Sequence, residues 1–109
     1  MVIDRRGEAV IVVALRGAFD GAACDEALTE LTALVEERPR TMVLDLAQCV
    51  YVASLALGVI LQTMQMLQRH GGVLRLAAPS AAVLSVFEAV HFTRSIQVDG
   101  SVSAALGEG

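Results

Sequence analysis

The sequence contains no lysine, and nowhere does an apolar run reach the roughly eighteen residues a membrane-spanning helix needs. The longest candidate is punctuated by Gln62, Gln65, Gln68 and Arg69, so direct membrane insertion is not expected. Without lysine there is no phosphate-binding glycine loop of the Gly-Lys type. All eight basic residues are arginine, and twelve acidic ones outnumber them, leaving a formal net charge of −4. Nucleic-acid binding relies on concentrated positive charge to release counterions, and is not expected either. The only cysteines, Cys24 and Cys49, lack metal-ligand spacing and a neighbouring histidine. They read as core thiols in a reducing compartment, with no metal or cofactor implied. Met1-Val2-Ile3-Asp4-Arg5-Arg6 has no basic region followed by an apolar core and a small-residue cleavage site, so the reading is cytoplasmic. Repeats, linkers and low-complexity segments are absent, which makes residues 1–109 one domain.

What is present is apolar, with a mean hydropathy of +0.62. Val2 to Arg5 and Ala9 to Arg16, separated by Gly7-Glu8, predict an antiparallel hairpin. The second strand barely alternates and should be covered on both faces. Gly17-Ala18-Phe19-Asp20 closes it, with Asp20 placed to cap a helix. From Ala23 to Glu37, apolar residues at helical spacing oppose Asp25, Glu26, Glu30 and Glu36, an amphipathic helix stopped by Arg38-Pro39-Arg40. Its acidic side fits a solvated face or a docking surface for a basic partner.

Thr41 to Leu46 predicts a short buried strand, and Ser54 to His70 a second helix capped by Ser54 and ended by Gly71-Gly72. On this helix Leu57, Ile60, Leu61, Met64 and Leu67 form one stripe, assigned to the core. Leu55, Val59 and Met66 form another, within about 40° of one another on the far side, with Gln62 between them. Such a row marks a partner surface, or a helix covered by another part of the same chain. Val73 to Ala77 is a further strand, and Ser80 caps a third helix with Val83, Val86, Phe87 and Val90 inward. Ile96 to Val98 is a last strand, and Ser101 to Leu106 a small terminal helix. This alternation predicts an α/β fold with a mixed, largely parallel sheet.

The segment Val43-Leu44-Asp45-Leu46, then Val50-Tyr51-Val52-Ala53-Ser54-Leu55-Ala56-Leu57-Gly58, then Val59-Ile60-Leu61 resembles the signature of the STAS family, to which bacterial anti-sigma factor antagonists belong. Gly17-Ala18-Phe19-Asp20, Gly71 to Leu76, Pro79, Val83 and Phe87 extend the resemblance over nearly the whole chain. It implies a single STAS-like domain with a four- or five-stranded sheet flanked by about four helices. Antagonists that it resembles usually carry Asp-Ser-Ser-Gly-Leu or Asp-Ser-Thr-Gly-Leu where the second helix starts, the second hydroxyl being the phosphoacceptor. Here Ala53-Ser54-Leu55-Ala56-Leu57 stands there, with Leu55 at the acceptor position. Phosphate would add about −1.5 to −2 units of charge and release a bound partner, which leucine cannot do. Ser54 is the alternative acceptor, although as a cap its oxygen would be engaged by a backbone N–H.

The resemblance thus implies a non-enzymatic domain binding a serine-kinase-type anti-sigma factor through Phe19, Asp20, Ala53, Ser54, Leu55, Val59, Gln62 and Met66. A homodimer through the same apolar row is a second expectation. Catalysis is not expected: among Ser54, Ser80, Ser85, Cys24, Cys49, His70 and His91 no nucleophile elbow or paired signature occurs. Alternative roles for the same fold are a small STAS subunit of a lipid-transport ABC system, a scaffold of a signalling assembly, or a ligand-holding sensor.

Overall fold

Two nearly unbroken apolar segments, Val10 to Leu15 and Met42 to Leu46, lie at the centre of the sheet. The computed structural model describes residues 1–107. Strands β1 (Val2–Arg6), β2 (Val10–Phe19), β3 (Thr41–Val52), β4 (Val73–Ala77) and β5 (Gln97–Asp99) form one sheet in chain order. β1 is antiparallel to β2, and every other neighbouring pair is parallel. Helices α1 (Gly21–Val35), α2 (Ser54–Gln68), α3 (Ala81–Ala89) and α4 (Val102–Ala105) connect and follow the strands. The mixed α/β sheet expected from the alternation is therefore present, with five strands and four helices among the described residues.

The period of two in the strands divides the core. Ile11, Val13, Leu15, Met42, Leu44, Leu46, Leu74 and Leu76 face α1, α2 and α3 and build the main core. Val12, Val43 and Ala77 face the other way, where Ala105 of α4 covers them. The Arg75 guanidinium donates to the Ala105 carbonyl and fastens that short helix to the sheet. Phe87, fully buried, stacks on Phe92 with ring centroids 5.7 Å apart and fixes the end of α3. Cys24 and Cys49 are buried and free, as expected of core thiols, and burial pushes both thiols up from their ordinary range.

Several boundaries and faces differ from expectation. β3 runs six residues past Leu46 because β2 pairs with it to the end, Gly17 opposite Cys49 and Phe19 opposite Val52, through irregularities after Ala14 and Gly17. Gly17, at φ +74°, supplies a backbone that side-chain-bearing residues rarely adopt. β4 stops opposite Asp45, so the far halves of β2 and β3 project as a two-stranded extension. On α2 the buried face is Ala56, Val59, Ile60, Thr63 and Leu67, whereas Leu57, Leu61 and Met64 are only half-buried. Small Ala56 and Thr63 let the helix approach the sheet closely, and the Thr63 hydroxyl satisfies itself on the Val59 carbonyl at 2.8 Å. On α3, Val83 and Phe87 are buried but Val86 is half-buried and Val90 exposed. His70 donates from Nε2 to the Pro39 carbonyl, 2.8 Å away in the loop after α1, rather than to its own helix end.

Candidate functional site

The C-terminal half of β3 and the first turn of α2 form a junction at the carboxyl end of the parallel strands. In open α/β sheets this end is where ligands and partners are received, since loops there can vary without disturbing the core. Three large apolar side chains stand in water at the junction: Val50 (70% exposed), Tyr51 (55%) and Leu55 (59%). Full burial of such a side chain stabilises by roughly 1.5–3 kcal/mol, so leaving these three uncovered forgoes about 1–2 kcal/mol apiece. Two backbone facts put them there. Val50 and Tyr51 sit on the part of β3 that β4 no longer flanks, and Leu55 lies on the first turn of α2, beyond the sheet. A groove lined by Val50, Tyr51, Val52, Ala82, Val83 and Val86 runs between the strand and α3.

The eight residues expected at an interface divide. Asp20, Ser54, Leu55 and Gln62 are exposed, and Ala53 is half-buried. Phe19 and Val59 are buried core residues, and Met66 is half-buried with its sulfur 3.9 Å from the Thr32 hydroxyl of α1. The row Leu55-Val59-Met66 is therefore not an outward stripe: α1 packs along it and covers all but Leu55. Val50 and Tyr51 were absent from the expected set, although both belong to the signature segment. They look like core residues by type, and only the pairing of β2 with β3 reveals that their stretch is a projecting strand.

Ser54 also departs from expectation. Ala53 occupies the position before the helix, no side chain caps α2, and Ser54 is its first residue. Its hydroxyl is exposed and has no hydrogen bond among the described residues. Asp20 does hold the cap position of α1, but its carboxylate makes no capping bond. Neither histidine adjoins a nucleophile through a hydrogen bond: His70 is engaged by Pro39, and His91 is exposed at φ +60° between α3 and a 3-10 turn. Among the described residues no group of His, Cys, Asp and Glu is arranged to hold a metal, and no helix is long and apolar enough to cross a membrane. The arrangement offers exposed apolar side chains beside an uncapped helix end.

Comparison with known proteins agrees with the fold. The model of the STAS domain family matches residues 2–105. BtrV of Bordetella bronchiseptica, whose name assigns it provisionally to the anti-sigma factor antagonists, is 31% identical over 98 residues, 90% of this chain and 84% of its own. The anti-sigma factor antagonist SpoIIAA, a Bacillus cell fate determinant, superposes in its unphosphorylated form with a TM-score of 0.85 at 20% identity, over 98% of this chain and 93% of its own. An anti-sigma factor antagonist from Mycobacterium paratuberculosis gives 0.89 at 19% identity, over 98% and 90%. At such identities the two structures speak for the fold alone.

Proposed function

Because the chain belongs to the STAS domain family and is similar to anti-sigma factor antagonists, we propose that it acts by binding rather than catalysis, capturing a serine-kinase-type anti-sigma factor in the cytoplasm and so regulating sigma-factor-dependent transcription. The observation that carries this reading is the exposure of three large apolar side chains, Val50, Tyr51 and Leu55, at the junction of β3 and α2, where antagonists that it resembles receive phosphate. Asp20, Ala53, Ser54 and Gln62 border it. Phe19 and Val59 belong to the core, and Met66 lies against Thr32 of α1.

SpoIIAA occurs in phosphorylated and unphosphorylated forms. In this chain Leu55 takes the acceptor position, so partner binding does not respond to kinase activity there. The free hydroxyl of Ser54 offers the one alternative acceptor within that motif. The reading holds Ser54 unmodified, since the acceptor position is one residue further into the helix and points about 100° away around its axis.

The test is capture from native cytoplasm, followed by titration of the recovered kinase against the wild type and Leu55→Glu with and without ATP. The expected result is wild-type binding indifferent to ATP, weakened at least about tenfold by Leu55→Glu. Phosphate on Ser54 by intact mass would remove the claim of unswitched binding. Recovery of transporter ATPase subunits in place of a kinase would leave only the fold.

A further inference from the structure

A hollow separate from the β3-α2 junction opens at the carboxyl end of β4 and β5, the end at which parallel sheets receive ligands. Its volume is about 460 Å³, within the roughly 300–1,000 Å³ of small-molecule sites. Pro79 in the loop after β4, Leu84 of α3 and Val98 of β5 form its apolar walls, and Thr93, Gln97 and Asp99 supply its polar side chains. Val98 packs toward the main core while Asp99 lies opposite Ala77, so the hollow wraps the free edge of β5.

Asp99 is the one ionised residue of the lining, and it is held twice. The Gln97 amide donates to its Oδ2 at 2.8 Å, and its main-chain carbonyl accepts the Ala78 N–H, also at 2.8 Å. Ala78 stands at φ +55° just before Pro79, a left-handed backbone that residues with a side chain rarely adopt, and such strain gathers at ligand sites. No ion pair among the described residues reaches Asp99, which is half-buried; Arg94, next to Thr93 in the chain, is exposed and leaves it unpaired.

We propose that this hollow binds a small organic cation, an ammonium or guanidinium on an apolar stem, with Asp99 as its counter-ion. Charge fixes the sign of the ligand. A carboxylate with no basic group in the lining repels anions and forms a charge-assisted hydrogen bond with a cationic N–H. The walls fix the stem, since Pro79, Leu84 and Val98 reward apolar carbon, and the Thr93 hydroxyl offers a second acceptor.

Three other hollows lack this combination. The one between β2 and α1 measures about 90 Å³ and has Arg16 beside Glu26 and Glu30. The surface at Asp25, Glu26, Thr29 and Glu30 has carboxylates without apolar walls, and the groove beside Tyr51 has apolar walls without a charge. The cation is either a free amine or the side chain of a protein lysine or arginine, which share this chemistry. The lining contains none of Val50, Tyr51 and Leu55, so this inference and the proposed function stand or fall separately.

The experiment is titration of the isotope-labelled chain with three compounds of one stem, hexylammonium, hexanol and hexanoate, read by the shifts of its amide resonances. Hexylammonium is expected to move Thr93, Val98 and Gly100 with a Kd on the order of 1 mM, and the other two to bind at least about tenfold more weakly. Asp99→Asn, which keeps the size of the side chain, should bring hexylammonium down to the level of hexanol. Nα-acetyl-lysine methylamide carries the same ammonium on a peptide: binding tighter than hexylammonium names a protein side chain as the source, and binding no tighter names a free amine. Equal binding of the three compounds, no shift at these residues below about 20 mM, or an Asp99→Asn variant that binds hexylammonium like the wild type overturns the proposal. The first two outcomes need only the wild type, so a variant that fails to fold leaves the test intact.

Discussion

Helices α1 and α2 have the same length, 15 residues each, and lie against each other on one face of the sheet. Their inner sides are alike: Cys24, Ala27, Leu31, Leu34 and Val35 on one, Ala56, Val59, Ile60, Thr63 and Leu67 on the other. Their outer sides are opposite in kind. α1 presents carboxylates, which hold water most strongly, while α2 presents Leu55, Gly58 and uncharged glutamines, which cost less than a carboxylate to desolvate. The inner sides serve the fold and are interchangeable in chemistry. The outer sides differ in what covering them would cost, charged carboxylates on α1 against uncharged side chains on α2.

Four experiments would break or sharpen this contrast. The largest effects belong to the shared inner chemistry: Leu31→Ala in α1 and Ile60→Ala in α2, both fully buried, should each cost about 2–5 kcal/mol in urea unfolding. A much smaller cost on either side would mean the two helices are not equal parts of the core. Next comes the missing cap. Ala53→Asp gives α2 the side-chain acceptor it lacks and should stabilise by about 0.5–1.5 kcal/mol, whereas Ser80→Ala removes the 3.2 Å bond from the Val83 amide and should cost a similar amount.

On the outer sides, Glu26→Gln and Leu55→Gln should both leave the unfolding free energy within about 0.5 kcal/mol. Only Leu55→Gln should weaken partner capture. Equal loss from both would mean that the acidic face is also a contact.

The smallest effect concerns the ion pair that ties the turn after α1 to β1, Arg5 Nη2 to Glu37 Oε2 at 2.7 Å. Arg5 holds the Glu37 carboxyl below its ordinary value of 4.5. A depressed carboxyl contributes stability above its unfolded value, and the contribution is lost as pH falls through the folded one. Glu37→Gln should thus lower the melting temperature slightly near pH 7, less in high salt, and not at all once the wild-type carboxyl is protonated. A difference that persists in acid would assign the effect to packing.

Much of this was legible in the residues. The strand-helix alternation, the cap at Ser80, the buried cysteines and the signature from Val43 to Leu61 all read through, because each is a local pattern. What did not read through depends on contacts distant in sequence. Hydrophobicity favours Leu57, Leu61 and Met64 for the inside of α2, but the sheet selects by size and takes Ala56 and Thr63. Val59 and Met66 read as outward until α1 is laid beside them. Ala47 and Gln48 hide the continuation of β3, since only the neighbouring β2 extends it past Leu46. At the site itself Leu55 was legible as an exposed residue, and Val50 and Tyr51 were not.

The order of the strands in the sheet is the order in which they occur in the chain. A polypeptide made from its amino end therefore lays down each strand beside the one just completed. No gap has to be held open for a strand not yet synthesised, and at every stage there is one growing edge to protect. The hairpin of β1 and β2 is the pairing between the strands nearest in sequence, a seed beside which each later strand-helix unit is laid in turn. The junction that exposes Val50, Tyr51 and Leu55 lies at the middle of the chain. It is completed only when the seed it stands on is already in place.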